Sequence, residues 1–361
     1  MTPAPAPPPA AYSPQLDGLR AAAVAAVAWS HWLPAWQFGV PLGAGVHLFF
    51  VLSGFLITRI LLDLRAAPDR GAAIGRFYAR RALRLFPAFY LVLGVAVLAD
   101  VPLARATWPW HAAYGSNLFI AAEREWQGHL SHFWSLAVEE QFYLLWPWLV
   151  VVVPARSLGP ILATVVLTGP LARWAAASRG LDESFWALVP GGSADSLGLG
   201  AWLAWSWWRW PDRVPTVARG WSALLGLTAW LVLAVADRVA PPGAAVAVWR
   251  QLAQGLVFVW LVAAATRGAG GIGGTLLSHP AVRAVGRISY GAYLIHAFAP
   301  VVVFAAFSRA GLDRVVPSSP AGRAGLYAAT TLGLAALMWR WVETPVLRLK
   351  RRVPYVIRRD D

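Results

Sequence analysis

Apolar residues in this chain run in stretches of about 18 to 23, and each is long enough to cross roughly 30 Å of hydrocarbon. About ten such stretches are present, at 18–36, 43–64, 85–101, 131–153, 158–177, 190–209, 219–238, 245–266, 288–308 and 323–343. A backbone crossing lipid must satisfy its own amides and carbonyls, so runs of this length are read as helices. The expected fold is therefore all-α, a polytopic membrane protein with about ten transmembrane helices in one bundle. Composition agrees, with 58% hydrophobic and 13% charged residues, where a soluble protein carries about a quarter charged.

The net charge of +14 invites a nucleic-acid reading, but its distribution argues against one. With the N-terminus in the cytoplasm and alternating spans, nineteen Arg and Lys residues fall on the inner side and nine on the outer, Arg173 among the nine. The bias obeys the positive-inside rule and puts both termini in the cytoplasm. Cysteine is absent, which excludes disulfides, thiolate catalysis and iron–sulfur chemistry. Residues 1–15 form a leader rich in proline and alanine without the basic start of a cleaved signal, expected to be disordered and cytoplasmic. The membrane domain follows over 16–346, and 347–361 is a basic cytoplasmic tail. No internal repeat or long soluble insertion is evident. The arginine-rich, single-lysine composition points to a bacterium with a GC-rich genome and to its cytoplasmic (inner) membrane.

Ionisable groups in a bilayer are costly and mark functional sites by default. Arg20 and His31 stand eleven residues apart in the first stretch, about 16 Å along one helix face. Arg20 is expected near a membrane surface and His31 well inside. Asp17 lies three residues before Arg20, the spacing of an ion pair at a helix start. An anchoring ion pair explains Asp17 and Arg20 equally well. His31 is the side chain best suited to exchange a proton near neutral pH.

In the second stretch, Gly45, Ser53 and Gly54 permit close helix approach, while His47 and Ser53 are candidates for lining a cavity. Ser53 lies within a helical run and lacks the strand-turn-helix setting of a serine nucleophile. Arg80, Arg81 and Arg84 share a helix arriving at the inner face, where they are either anchors or a phosphate clamp. Ser131–Tyr143 carries His132, Ser135, Glu139 and Glu140; the first three residues of that set share a face and Glu140 turns about 100° away. Carboxylates in this setting need a partner or acid–base work. His296 in the ninth stretch and Glu343 before Pro345 at the end of the tenth are read as supporting groups. His129 and His132 lack a third ligand at useful spacing, so no metal is expected. The 22 tryptophans are mostly membrane-interface residues.

Taken in order, Arg20-x10-His31, Gly45-Val46-x-x-Phe49-Phe50-x-x-Ser53-Gly54-Phe55, Arg81-x-x-Arg84, Trp134-Ser135-Leu136-x-x-Glu139-Glu140-Gln141-Phe142-Tyr143 and Tyr293-Leu294-x-His296 make a combined pattern. On it the chain, from Leu16 to about Arg352, resembles the acyltransferase-3 family of integral membrane O-acyltransferases. The resemblance implies ten core helices and transfer of an acyl group, usually acetyl, from cytoplasmic acyl-CoA to a hydroxyl. The acceptor class it implies is a cell-surface polysaccharide or lipopolysaccharide, with a macrolide-type sugar or other small metabolite as the alternative. It implies His31 as the catalytic centre with Glu139 and Glu140 as the acidic motif, and Arg20, Arg81 and Arg84 at the donor. Asp17, Ser53, Ser135, His296 and Glu343 are supporting residues. His47 departs from the aspartate or glutamine of many members. No tightly bound cofactor is expected; acyl-CoA is a co-substrate, and the other partners are the acceptor and the bilayer.

Such chemistry is physically coherent. An anionic nucleotide is drawn to the arginine-rich face, and its pantetheine arm carries the thioester toward His31. His31 then acts either as a general base, oriented by Glu139 or Glu140, or through an acyl-histidine. A transporter or flippase is the rival from another class. Against it, the sequence lacks the inverted repeats and paired broken helices that such proteins carry.

Overall fold

The computed structural model describes residues 13–37, 41–211, 220–239, 243 and 247–354. Helices follow one another as α1 (Pro14–Trp32), α2 (Gly45–Leu64), α3 (Arg70–Leu98), α4 (Ala104–Ala112), α5 (Ser116–Glu123), α6 (Phe133–Val152), α7 (Leu158–Ser178) and α8 (Ala194–Arg209). After them come α9 (Trp221–Val239), α10 (Arg250–Thr266), α11 (Gly271–Ser278), α12 (Pro280–Arg287), α13 (Ser289–Ile295), α14 (Ala299–Arg309), α15 (Pro320–Met338) and α16 (Thr344–Arg348). A π-helical turn, Trp339–Glu343, joins α15 to α16, and a 3-10 turn, Leu349–Arg352, follows. The described residues contain no strand, so the all-α expectation holds.

Apolar side chains cover the outside as well as the inside. Leu144, Leu145 and Trp148 on α6, and Leu167, Leu171 and Trp174 on α7, are all exposed. Rows of large exposed apolar groups of this kind belong against lipid. By length and mean hydropathy, three helices among the described residues can cross a membrane, or five if each of two bent pairs is one span. Ten are not reached by that measure. The reason lies partly in α1 and α6, whose Asp17, Arg20, Glu139 and Glu140 lower the mean hydropathy while facing the interior.

Three boundaries differ from expectation. The connection between the second and third apolar stretches, residues 65–84, is largely helix, because α3 runs unbroken for 29 residues from Arg70 and carries Arg76, Arg80, Arg81 and Arg84 on itself. The leader is ordered from Ser13, whose hydroxyl donates to the Ala265 carbonyl at 2.5 Å, and Gln15 is tied to Ala269; residues 1–12 lie outside the described residues. The ninth span is broken, with α13 and α14 meeting at 65°. Pro300 has no amide hydrogen to give the His296 carbonyl four residues back; the Trp32 indole donates to that oxygen instead, at 3.0 Å.

Close packing of α2 on α8 fixes the centre. Gly54 abuts the Leu197 carbonyl and Gly200 abuts the Val51 carbonyl, with no room for a β-carbon at either. Small residues let backbones approach in this way. Gly45 does the same against Ala23 and Val27 of α1. Ser53, grouped with these residues in the sequence, turns instead into a cavity.

Candidate active site

Five helices, α1, α2, α3, α6 and α13, line a cavity of about 620 Å³, to whose wall Leu347 of α16 and Lys350 just after it also contribute. Along α2 its wall extends from Val46 to Ile60, about 21 Å at 1.5 Å per residue. The lining is polarised. Arg80, Arg81, Arg84, Arg20 and Lys350 give five cations against the two carboxylates Glu139 and Glu140. Leu52, Leu56, Ile57, Phe77 and Leu136 make apolar walls, and Ser135 and Tyr293 line the stretch toward the start of α6 and the end of α13.

The sequence pattern brings most of its residues to this space, in distinct settings. Asp17, buried in the first turn of α1, accepts from the Arg20 guanidinium at 2.9 Å. Arg81 is turned inward: its Nε and Nη2 donate to Glu140 at 3.1 and 2.9 Å, Glu139 lies 3.5 Å away, and the guanidinium stacks 3.1 Å from the Tyr143 ring centroid. Ser53 and Tyr143 both donate to the same Glu139 oxygen. Both carboxylates thus serve one arginine, and both line the cavity despite the expected 100° between them. Arg84 is held more loosely. Its nearest carboxylate is that of Glu343, at 3.8 Å, buried on the π-helical turn with neither oxygen hydrogen-bonded.

His31 stands apart from the cavity lining. It occupies the last turn of α1 with an exposed side chain, not a position deep in the bundle. Its ring is 5.0 Å from that of His296, which is 5.0 Å from His132 and 5.4 Å from Tyr293. Tyr293 is the member of this group that lines the cavity, its hydroxyl 2.5 Å from Ser135 Oγ and 3.1 Å from the His132 carbonyl. Two side chains in series, Tyr293 and then His296, therefore lie between the cavity and His31. The hydrogen-bond partners of His31 are Val27 and His296, not Glu139 or Glu140.

The broken helix dictates how these histidines are protonated. Carbonyls freed at the break accept from side chains: Tyr293 O from His296 Nδ1 at 2.6 Å, Leu294 O from His132 Nε2 at 3.2 Å, and Ala297 O from His129 Nδ1 at 2.8 Å. A neutral imidazole has one donor and one acceptor nitrogen. With Nδ1 of His296 donating, its Nε2 is an acceptor. The group facing it at 3.3 Å, His31 Nδ1, must then carry hydrogen, which it also shares with the Val27 carbonyl at 2.9 Å. The remaining nitrogen of His31, Nε2, has no hydrogen-bond partner among the described residues and keeps its lone pair. The same bonds give His129 and His132 structural work, and no metal-binding cluster occurs among the described residues.

Several participants carry no signal of their own in the sequence. Tyr143 and Tyr293 sit inside motifs read for other residues, and Lys350 sits in the tail. His47, a candidate cavity residue, does not line the cavity, and its buried Nδ1 has no hydrogen-bond partner among the described residues.

Fold and cavity define a class, that of helical membrane proteins with an elongated, net-cationic space inside the bundle. Sequence comparison narrows the class to a family: residues 13–340 match the acyltransferase domain of the acyltransferase-3 type, and the chain belongs to that family. It is 29% identical over 383 aligned residues to the peptidoglycan O-acetyltransferase OatA of Listeria monocytogenes serovar 1/2a (strain ATCC BAA-679 / EGD-e), an alignment covering 93% of this chain and 56% of that protein. Over 157 residues it is 40% identical to a Bacillus subtilis (strain 168) protein named "Putative peptidoglycan O-acetyltransferase YrhL", covering 39% of this chain and 24% of the other. The chain thus spans about half, or less, of the length of these relatives. No solved structure matches it.

Proposed function

We propose that the chain transfers an acyl group, acetyl in the first instance, from cytoplasmic acyl-CoA to a hydroxyl of a cell-surface glycan. The names of the relatives favour peptidoglycan as the acceptor class. One observation carries the reading: a cation-lined cavity joined at its polar end, through Tyr293 and then His296, to the histidine His31. On this reading the full bundle has ten spans with both termini in the cytoplasm of a bacterial inner membrane. Arg20 and Arg84 meet the nucleotide phosphates as fork-shaped donors, while Glu139 and Glu140 act through Arg81, holding it as part of the wall.

The transfer balances simply. His31 Nε2 takes the proton of the acceptor hydroxyl, the oxygen attacks the thioester carbon, and the carbon–sulfur bond breaks. The thiolate leaves and takes a proton, giving CoA and an ester. His296 is a positioning residue: together with the Val27 carbonyl, its acceptor nitrogen takes the His31 Nδ1 hydrogen and so orients the ring and leaves Nε2 as the basic nitrogen.

The reading is tested with purified protein in nanodiscs and radiolabelled acetyl-CoA, without acceptor. Saturable binding and slow release of CoA and acetate are expected; neither binding nor release would overturn the donor assignment. A second experiment isolates His296. Phenylalanine there should lower the release rate by up to about tenfold, on the order of one lost hydrogen bond, because the Val27 carbonyl still holds the Nδ1 hydrogen, with the donor KM unchanged. Glutamine, whose amide oxygen can accept from His31 Nδ1, should restore most of it. Equal rates for the two variants would leave His296 as packing alone.

A further inference from the structure

The tail expected over 347–361 is, as far as Pro354, part of the site; residues 355–361 lie outside the described residues. Arg80, from the middle of the first half of α3, donates Nη1 to the carbonyls of Lys350 and Val353, at 2.9 and 2.8 Å. Last-turn carbonyls of a helix have no partner of their own, so this one guanidinium ties the 3-10 turn Leu349–Arg352 beneath α3. Leu347 and Lys350 then become cavity wall. Lys350 is the chain's only lysine, and its ammonium enters no ion pair among the described residues.

We propose that Lys350 is a donor-binding residue, contributing a compact positive charge to a phosphate group of the bound nucleotide, with Arg80 as the strap that brings it there. This rests on the acyl-CoA reading above. The chemistry favours it on three counts. Cations outnumber carboxylates in the lining, and both lining carboxylates are already engaged with Arg81. Arg84, the nearby guanidinium, is only loosely held by Glu343. A lysine supplies a point charge to phosphate where an arginine supplies a planar fork, and the two together suit a pyrophosphate or a ribose phosphate.

Burial and the neighbouring Arg84, Arg80 and Arg81 pull the Lys350 ammonium down to about 8. Facing it across the cavity are also Arg20, Tyr290, Glu139 and Glu140, and on its own segment it is flanked by Arg348 and Arg352. A phosphate beside the amine raises its pKa, so ligand binding takes up a proton whenever the free group is neutral. Affinity is therefore full below pH 8 and falls as pH rises through it, by up to about tenfold per unit.

The test is the affinity of purified protein for acetyl-CoA in phosphatidylcholine nanodiscs, against acetyl-pantetheine, which has no phosphate. Lys350→Met should weaken acetyl-CoA binding about 5- to 10-fold and leave acetyl-pantetheine turnover unchanged. Lys350→Arg should bind nearly as wild type and lose the decline between pH 8 and 9. Wild-type binding of acetyl-CoA that Lys350→Met does not alter would overturn the Lys350 assignment while leaving the donor reading intact. No acetyl-CoA binding by wild type would instead overturn the donor reading and this proposal with it. Phosphate is also a lipid headgroup, so the series is repeated with phosphatidylglycerol. Retention of that lipid dependent on Lys350, with acetyl-CoA affinity indifferent to it, would assign the site to lipid and overturn the proposal.

Discussion

Alanine at His31 should lower acetyl release roughly a thousandfold, the middle of the range for removing a general base, while acetyl-CoA affinity stays within about twofold of wild type. Both halves come from one fact of geometry. His31 is outside the cavity lining and hydrogen-bonds Val27 and His296, so a donor in the cavity does not touch it before reaction. Its Nε2 is the nitrogen without a hydrogen-bond partner among the described residues, and proton transfer at that atom is what alanine removes. The helix does not depend on the side chain, which is exposed in its last turn. A loss of rate with unchanged binding separates a catalytic residue from a binding one. The opposite pattern, weaker acetyl-CoA binding with undiminished turnover, would make His31 part of the donor site and refute the base assignment. Equilibrium binding and single-turnover release, measured on the same preparation, distinguish the two.

What the sequence discloses and what it withholds divide along the range of the contacts. Arg20 with Asp17, and the shared helix of Arg81 and Arg84, follow from spacing within one turn or two, and the structure has them as read. The partnership of Arg81 with Glu139 and Glu140 is foreseeable as a need, since a carboxylate in lipid requires a cation, but not as a pairing. Nothing in the order of residues names which arginine it is. The ninth span reads as continuous because its hydropathy does not fall at Phe298. A single missing amide at Pro300 breaks it, and the break determines the histidine tautomers. Lys350 counts with a basic tail because charge counting registers sidedness alone. Its place in the wall depends on Arg80, 270 residues earlier in the chain. Bends are withheld for a related reason: two of the five candidate spans are pairs of shorter helices meeting at 73° and 65°, which an apolar stretch read as straight does not disclose.

Arg173 evades charge counting in the same way, and its loss should cost more stability than any substitution named above. An outward-facing topological charge by sequence, it is buried on α7 with all three of its nitrogens hydrogen-bonded. Nε and Nη2 donate to the Val248 carbonyl at 2.9 and 2.7 Å, Nη1 to the Gly192 carbonyl at 2.6 Å, and Nη2 to Asp195 at 2.7 Å. Asp195, fully buried at the start of α8, also accepts from Gln251 of α10 at 2.8 Å and from the Ser196 amide at 2.9 Å. One guanidinium thus ties three helices through side chain and backbone. Arg173→Met leaves a buried carboxylate without its cation and removes the hydrogen bonds to two carbonyls. Breaking a buried pair from one side costs about 3–5 kcal/mol, which predicts a fall in melting temperature on the order of 10 °C, read from tryptophan fluorescence in detergent. Changing both partners, Arg173→Met with Asp195→Leu, should recover a large part of that loss, because the stranded charge rather than the missing attraction dominates the cost. The carbonyls of Gly192 and Val248 still lack donors, so recovery should be incomplete. A single variant melting within about 1 °C of wild type, well inside the shift expected for a broken buried pair, would show that the brace does not hold the helices together. A double variant less stable than the single would show that the attraction outweighs the stranded charge. Neither change touches the cavity lining, so acetyl-CoA affinity of the folded fraction should stay at the wild-type value, and a loss of affinity would mean that α7 and α8 set the cavity's shape.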